Sequence, residues 1–95
     1  MGVGDVYSGL QSVSAGAYVD IRPTLGSEAS VHNIYASGSI SLSLTDGTNV
    51  LTFDSMTGPG VYAKFAFHVT YNIWIRVTNT SGSTILIGWD GVYTK

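Results

Sequence analysis

The chain has 95 residues, 44% of them apolar, with four basic and six acidic side chains for a net charge of -2, no cysteine and a mean hydropathy of +0.25. That length allows one small domain with a single core, and the missing cysteines exclude a disulfide framework and a thiolate metal site. Charged residues make up 11% against about 25% in ordinary soluble domains, and they form no run of either sign, so there is no electrostatic footprint for nucleic acid or a membrane surface.

The polar character comes instead from 22 Ser and Thr residues and 12 Gly. High hydropathy with so few charges predicts apolar surface that meets another chain. No apolar stretch approaches the roughly 18 residues of a membrane span, and residues 1–16 lack the basic start and apolar core of a signal peptide. The chain is expected to be soluble and unprocessed.

Residues 1–16 are rich in Gly and Ser, and their isolated apolar residues Val3, Val6, Tyr7 and Leu10 hold neither a helical nor a strand period. This predicts a flexible N-terminal arm, with residues 17–95 as the folded domain. Ala17 to Pro23 alternates, with Val19 and Ile21 opposite Tyr18, Asp20 and Arg22, as a strand near an edge would before a proline. Residues 31–36 form a short strand whose inward set is either Val31, Asn33 and Tyr35 or His32, Ile34 and Ala36; the pattern leaves both open. Ile40, Leu42 and Leu44 then alternate with serines up to Asp46-Gly47, a strong hairpin signal. A two-residue loop there would pair Leu42 with Leu51 and Ile40 with Phe53.

From Val61 to Trp89 the apolar residues alternate through three segments. Val61, Ala63, Phe65, Phe67 and Val69 share one face in the first; Ile73, Ile75 and Val77 oppose Trp74, Arg76 and Thr78 in the second. Three-residue loops at residues 70–72 and 80–82 keep that phase. They pair Val69 with Ile73, Phe67 with Ile75 and Val77 with Ile85, a three-stranded meander with Gly82 at positive φ. Gly47 is expected at positive φ as well.

Seven or eight short strands with no helical period predict an all-β fold: a single antiparallel β-sandwich of jelly-roll type, with a small β-barrel as the alternative. The predicted core is Ile40, Leu42, Leu44, Leu51, Phe53, Phe65, Phe67, Ile73, Ile75, Val77, Ile85 and Ile87.

No catalytic signature is present. His32 and His68 have no carboxylate or nucleophile at informative spacing, and read as structural or surface residues. Asp46-Gly47-Thr48-Asn49 and Asp54-Ser55-Met56-Thr57 lack the spaced acidic ligands of a calcium loop, and the glycine clusters at residues 2–4 and 58–60 do not open helices as phosphate cradles do. No cofactor or metal is expected. The meander's outer face is the site candidate: Tyr62, His68, Trp74 and Arg76, with Tyr71 in the adjoining loop, would form an aromatic and cationic strip suited to a protein interface. Trp74 lying over Gly88 as sheet support, or a sugar-stacking platform, would use the same residues.

The segments Asp20-Ile21-Arg22-Pro23, His32-Asn33-Ile34-Tyr35, Phe67-His68-Val69-Thr70 and Ile75-Arg76-Val77, with the ending Ile87 to Lys95, resemble small uncharacterised proteins encoded among tailed-bacteriophage structural genes. The resemblance covers most of the chain and implies a virion component, a head decoration or minor tail protein. Such a protein would bind copies of itself, a trimer being favoured, and a capsid or tail surface, with no chemistry. A small carbohydrate-binding β-sandwich module is the alternative, and a hydrolase too small to show its motif is the third class.

Overall fold

A computed structural model describes residues 2–95; Met1, at the head of the expected arm, lies outside them. The described residues contain nine strands and no helix: β1 (Val6–Val13), β2 (Tyr18–Ile21), β3 (Glu28–Ala36), β4 (Ile40–Thr45), β5 (Val50–Met56), β6 (Gly60–Tyr62), β7 (Phe67–Thr70), β8 (Trp74–Asn79) and β9 (Ile85–Tyr93). One sheet has the order β1-β9-β3-β6, with β7 also on β3; the other runs β2-β8-β4-β5.

Every pairing is antiparallel, and the pairs are nested. β1 lies on β9, β2 on β8, β3 on β6 and β7, and β4 on β5. The chain is therefore one long ribbon folded back at the β4–β5 turn, then rolled so that alternate pairs fall in opposite sheets. This is the jelly-roll sandwich, and the chain does not close into a barrel.

The expected meander does not form. β7, β8 and β9 follow one another in sequence, yet β7 pairs with β3, β8 with β2 and β4, and β9 with β1 and β3. A tight turn in which the Thr70 N–H donates to the Ile73 carbonyl (2.7 Å) carries the chain from one sheet to the other. The phase also breaks before it. Residues 63–66 are irregular, so Tyr62 points inward from β6 whereas Phe67 and Val69 point inward from β7, and Val61, Ala63 and Phe65 are exposed.

The expected N-terminal arm is a strand over much of its length. β1 holds an unbroken eight-residue register with β9, from Val6 opposite Val92 to Val13 opposite Ile85. Its Gly9 lies against the Trp89 ring, so that a Cβ there would stand 2.5 Å from the indole. The aromatic-over-glycine support expected at Trp74 and Gly88 thus occurs at Trp89 and Gly9.

β3 shows why its phase could not be read from the pattern. The register with β9 shifts between Val31 and Asn33, so Ala29 and Val31 face inward before the bulge, and Ile34 and Ala36 after it. Gly91 sits at this approach of β9 to β3, where a Cβ would run into the Ser30 carbonyl oxygen.

The β4–β5 connection is longer than two residues. Thr45 pairs with Val50 and Leu44 with Leu51, leaving residues 46–49 as the loop. The Asp46 carboxylate accepts from the backbone N–H groups of Thr48 (2.9 Å) and Asn49 (2.7 Å), the side-chain capping by which an aspartate fixes such a turn. Gly47 and Gly82 both have the expected positive φ, 93° and 83°.

The core contains Ile40, Leu42, Ile75, Val77, Ile85 and Ile87 as expected, joined by Val19, Ile21, Val31, Ile34, Tyr62, Val69 and Trp74. Leu44, Leu51, Phe53, Phe65 and Ile73, all predicted inside, are exposed, and Phe67 is half-buried. β5 is an edge strand lying on β4 alone, so its apolar face overhangs the core. Asn79 is the buried polar key at one end of the sandwich. Its amide donates to the carbonyls of Val13 (3.0 Å) and Ser83 (2.6 Å) and accepts from the Ser81 N–H (2.9 Å) and hydroxyl (2.7 Å), leaving no polar group of that side chain unpaired.

Candidate interaction surface

The predicted strip divides between the two sheets. Tyr71, Trp74 and Arg76 lie on or beside the outer face of the β2-β8-β4-β5 sheet, because Ile75 and Val77 take the inner positions of β8. Tyr62 points into the core from β6, and His68 stands on the outer face of the other sheet.

β2 completes the aromatic and cationic cluster. Tyr18 pairs with Thr78 and Asp20 with Arg76, and one step further Arg22 comes beside Trp74. Arg76 donates to both Asp20 carboxylate oxygens (2.8 and 3.2 Å) and stacks 3.8 Å from the Tyr18 ring centre. The Asp20 bond raises the Arg76 pKa above its ordinary value and so holds the charge in place. Arg22 lies between two rings, 3.9 Å from Trp74 and 4.0 Å from Tyr71, while its Nε donates to the Tyr71 carbonyl at 2.8 Å. The face is therefore a ladder of guanidinium groups laid on aromatic rings. Trp74 is only 3% exposed, so its area belongs to the fold and offers no platform to a ligand. Arg22 was not among the predicted residues. It continues the outward phase of Tyr18 and Asp20, but its neighbours follow from the β2–β8 pairing, which no local pattern reveals.

Tyr62 donates its hydroxyl to Asp54 (2.7 Å), which also accepts from Lys64 (3.2 Å) and from the Ser55 N–H (2.8 Å). These bonds hold the Asp54 carboxyl below the usual carboxylate range, and burial with the Asp54 bond pushes the Tyr62 phenol up to about 12. The Tyr62, Phe53, Phe65 and Phe67 rings gather where β5 faces β6 and β7, with Phe53 and Phe67 centres 5.5 Å apart.

On the outer face of the β1-β9-β3-β6 sheet, the Tyr35 hydroxyl donates to Asp90 at 2.5 Å and the Asn33 amide to the same carboxylate at 2.9 Å. The bonds from Tyr35 and Asn33 lower the Asp90 pKa, and the bond to Asp90 raises that of Tyr35. Leu10, Leu86, Tyr35 and Val61 stand exposed on this face, with Leu10 and Tyr35 flanking Gly88 in one cross-strand row.

His68 does meet an acid, which the sequence spacing did not suggest. Its Nε2 is 3.4 Å from a Glu28 carboxylate oxygen and 3.3 Å from the Thr94 hydroxyl. Both contacts use the same ring nitrogen, whereas a relay from acid to nucleophile uses one nitrogen for each. The trio therefore reads as a surface polar cluster that also includes Lys95, 3.8 Å from Glu28.

Comparison with protein-family models and with curated proteins found no match to this chain. Its two antiparallel sheets make the chain a small jelly-roll sandwich.

Proposed function

We propose that the protein is a non-enzymatic structural component of a tailed-phage particle that associates with copies of itself and binds a capsid or tail surface. The observation that carries this reading is the balance of its surface. Among the described residues fifteen large apolar side chains are exposed, from Val3 to Leu86, while the whole chain has four basic and six acidic residues. A separate monomer with that surface would be short of charge to keep it in solution, and apolar groups of this kind are what subunit contacts cover. The phage assignment itself rests on the sequence resemblance.

A carbohydrate-binding role has less support. A sugar stacks on an open aromatic face, and the candidate rings have a face already occupied: Trp74 and Tyr71 by Arg22, and Tyr18 by Arg76. Mass spectrometry of purified virus particles from lysed host cells tests the proposal. The chain should be found in the particles in stoichiometric amount, and its recovery only in the free soluble fraction would refute a structural role there.

A further inference from the structure

Resting on the self-association read above, we propose that two copies of the chain join along β1, in antiparallel register about Gly9, to make one continuous sheet across a two-fold axis. A sheet edge presents unpaired backbone groups, and natural proteins blunt such edges by shortness, proline, charge or bulges. Three edges of this sandwich carry those devices. β2 is four residues long, bears Asp20 and is followed by Pro23. β5 is bulged where its register with β4 shifts, and has Asp54 there. The β6–β7 edge is interrupted over residues 63–66, with Lys64 in the break and Pro59 before it.

β1 carries none of them. Its eight residues, Val-Tyr-Ser-Gly-Leu-Gln-Ser-Val, include no charge and no proline, and it keeps register with β9 without a bulge. The Val13 carbonyl is already taken by the Asn79 amide, which leaves Val6 to Ser12 as the open edge with Gly9 at its centre. A second copy is the occupant that the self-association read above supplies, and antiparallel pairing about Gly9 centres the two open segments on each other. Val6 comes opposite Ser12, Tyr7 opposite Gln11 and Ser8 opposite Leu10, so outward residues meet outward residues and inward meet inward. No like charges are brought together, and Gly9 meets Gly9 at the axis without a side chain. Leu10 of each copy would then stand beside Ser8 of the other, which continues its cross-strand row into the partner's Asp90.

The register makes a direct test possible, since Ser8 and Leu10 face each other across the axis and both are exposed, Leu10 by 72%. Ser8→Lys with Leu10→Lys places like charges opposite one another at two symmetric points, and should weaken association by about tenfold or more with the circular dichroism and melting curve of the monomer preserved. Ser8→Glu with Leu10→Glu should do the same. Mixing the two double variants should restore a dimer of one copy of each, measured by light scattering. An oligomer indifferent to both pairs of changes, or a mixture that stays dissociated, would overturn the β1 contact while leaving self-association through another surface intact. A wild-type chain that stays monomeric at every concentration would remove the underlying reading as well.

Discussion

The Arg22 guanidinium lies 3.9 Å from the centre of the Trp74 ring and covers an indole that sits on the outer face of its sheet yet is almost fully buried. Trp74 and Arg22 therefore act as one unit. Replacing Trp74 with Ala should cost about 3–5 kcal/mol, as for a large core residue. Arg22→Ala should cost about 1–2 kcal/mol through loss of the stacking and of the bond to the Tyr71 carbonyl. Arg22→Lys should not restore it, because an ammonium cannot lie flat between two rings. Urea unfolding followed by tryptophan fluorescence measures all three. A Trp74→Ala protein as stable as wild type would mean that the indole is a free surface group.

Two glycines separate steric from conformational need. At Gly91 a Cβ would enter the Ser30 carbonyl of the neighbouring strand, so Gly91→Ala forces β9 away from β3 at the bulge. A loss of more than about 4 kcal/mol, or failure to fold, is expected. At Gly82 nothing lies within 4 Å and only the φ of 83° resists a side chain, so Gly82→Ala should cost about 1–2 kcal/mol. Thermal denaturation of the two variants checks the order, and the reverse order would contradict the β3–β9 register.

Titration should act on stability at both ends of the pH scale. Asp54, Asp90 and Asp46 are held below their ordinary pKa by hydrogen bonds, from Tyr62, Tyr35 and the Asn49 N–H respectively. A depressed folded pKa contributes stability that is present above the unfolded value, near 4, and lost as pH falls through the folded one. The melting temperature should hold down to about pH 5 and decline in acid. Tyr7 and Tyr62 are pushed up to about 12, burial being the first cause in each. A raised phenol contributes stability that is full below the unfolded value, about 10, and lost as pH rises through the folded one. Alkaline absorbance titration should find at least two of the six tyrosines resisting ionisation until about pH 12. Uniform titration of all six near 10 would contradict their placement.

Strands were legible in this sequence because alternation is a local property, whereas their partners were not. The inward sets of β8 and β9 came out as Ile75, Val77, Ile85 and Ile87, all buried, and the all-β sandwich followed from strand number and spacing. The meander failed because it took neighbours in sequence for neighbours in the sheet, which holds for most connections. In a rolled ribbon it holds once: among the described residues β4 and β5 are the sole consecutive strands that pair with each other. The same assumption split the predicted interface. Trp74 and Arg76 kept their outward phase, but Tyr62 turned inward across the irregular residues 63–66, and His68 went to the opposite sheet. The expected N-terminal arm hid β1 because a strand with Ser, Gly and Gln between Val6 and Val13 has too little alternation to see; what marks it is the Trp89 ring packed on Gly9. β3 defeated phase analysis for a definite reason, since the bulge makes both readings correct in turn.

Self-association is the claim on which the rest depends, and solution mass by light scattering across a wide range of protein concentration tests it most directly. The chain has a mass of 10.0 kDa. An integral multiple of that value, falling toward the monomer on dilution, is expected; a constant 10.0 kDa at every concentration would contradict self-association.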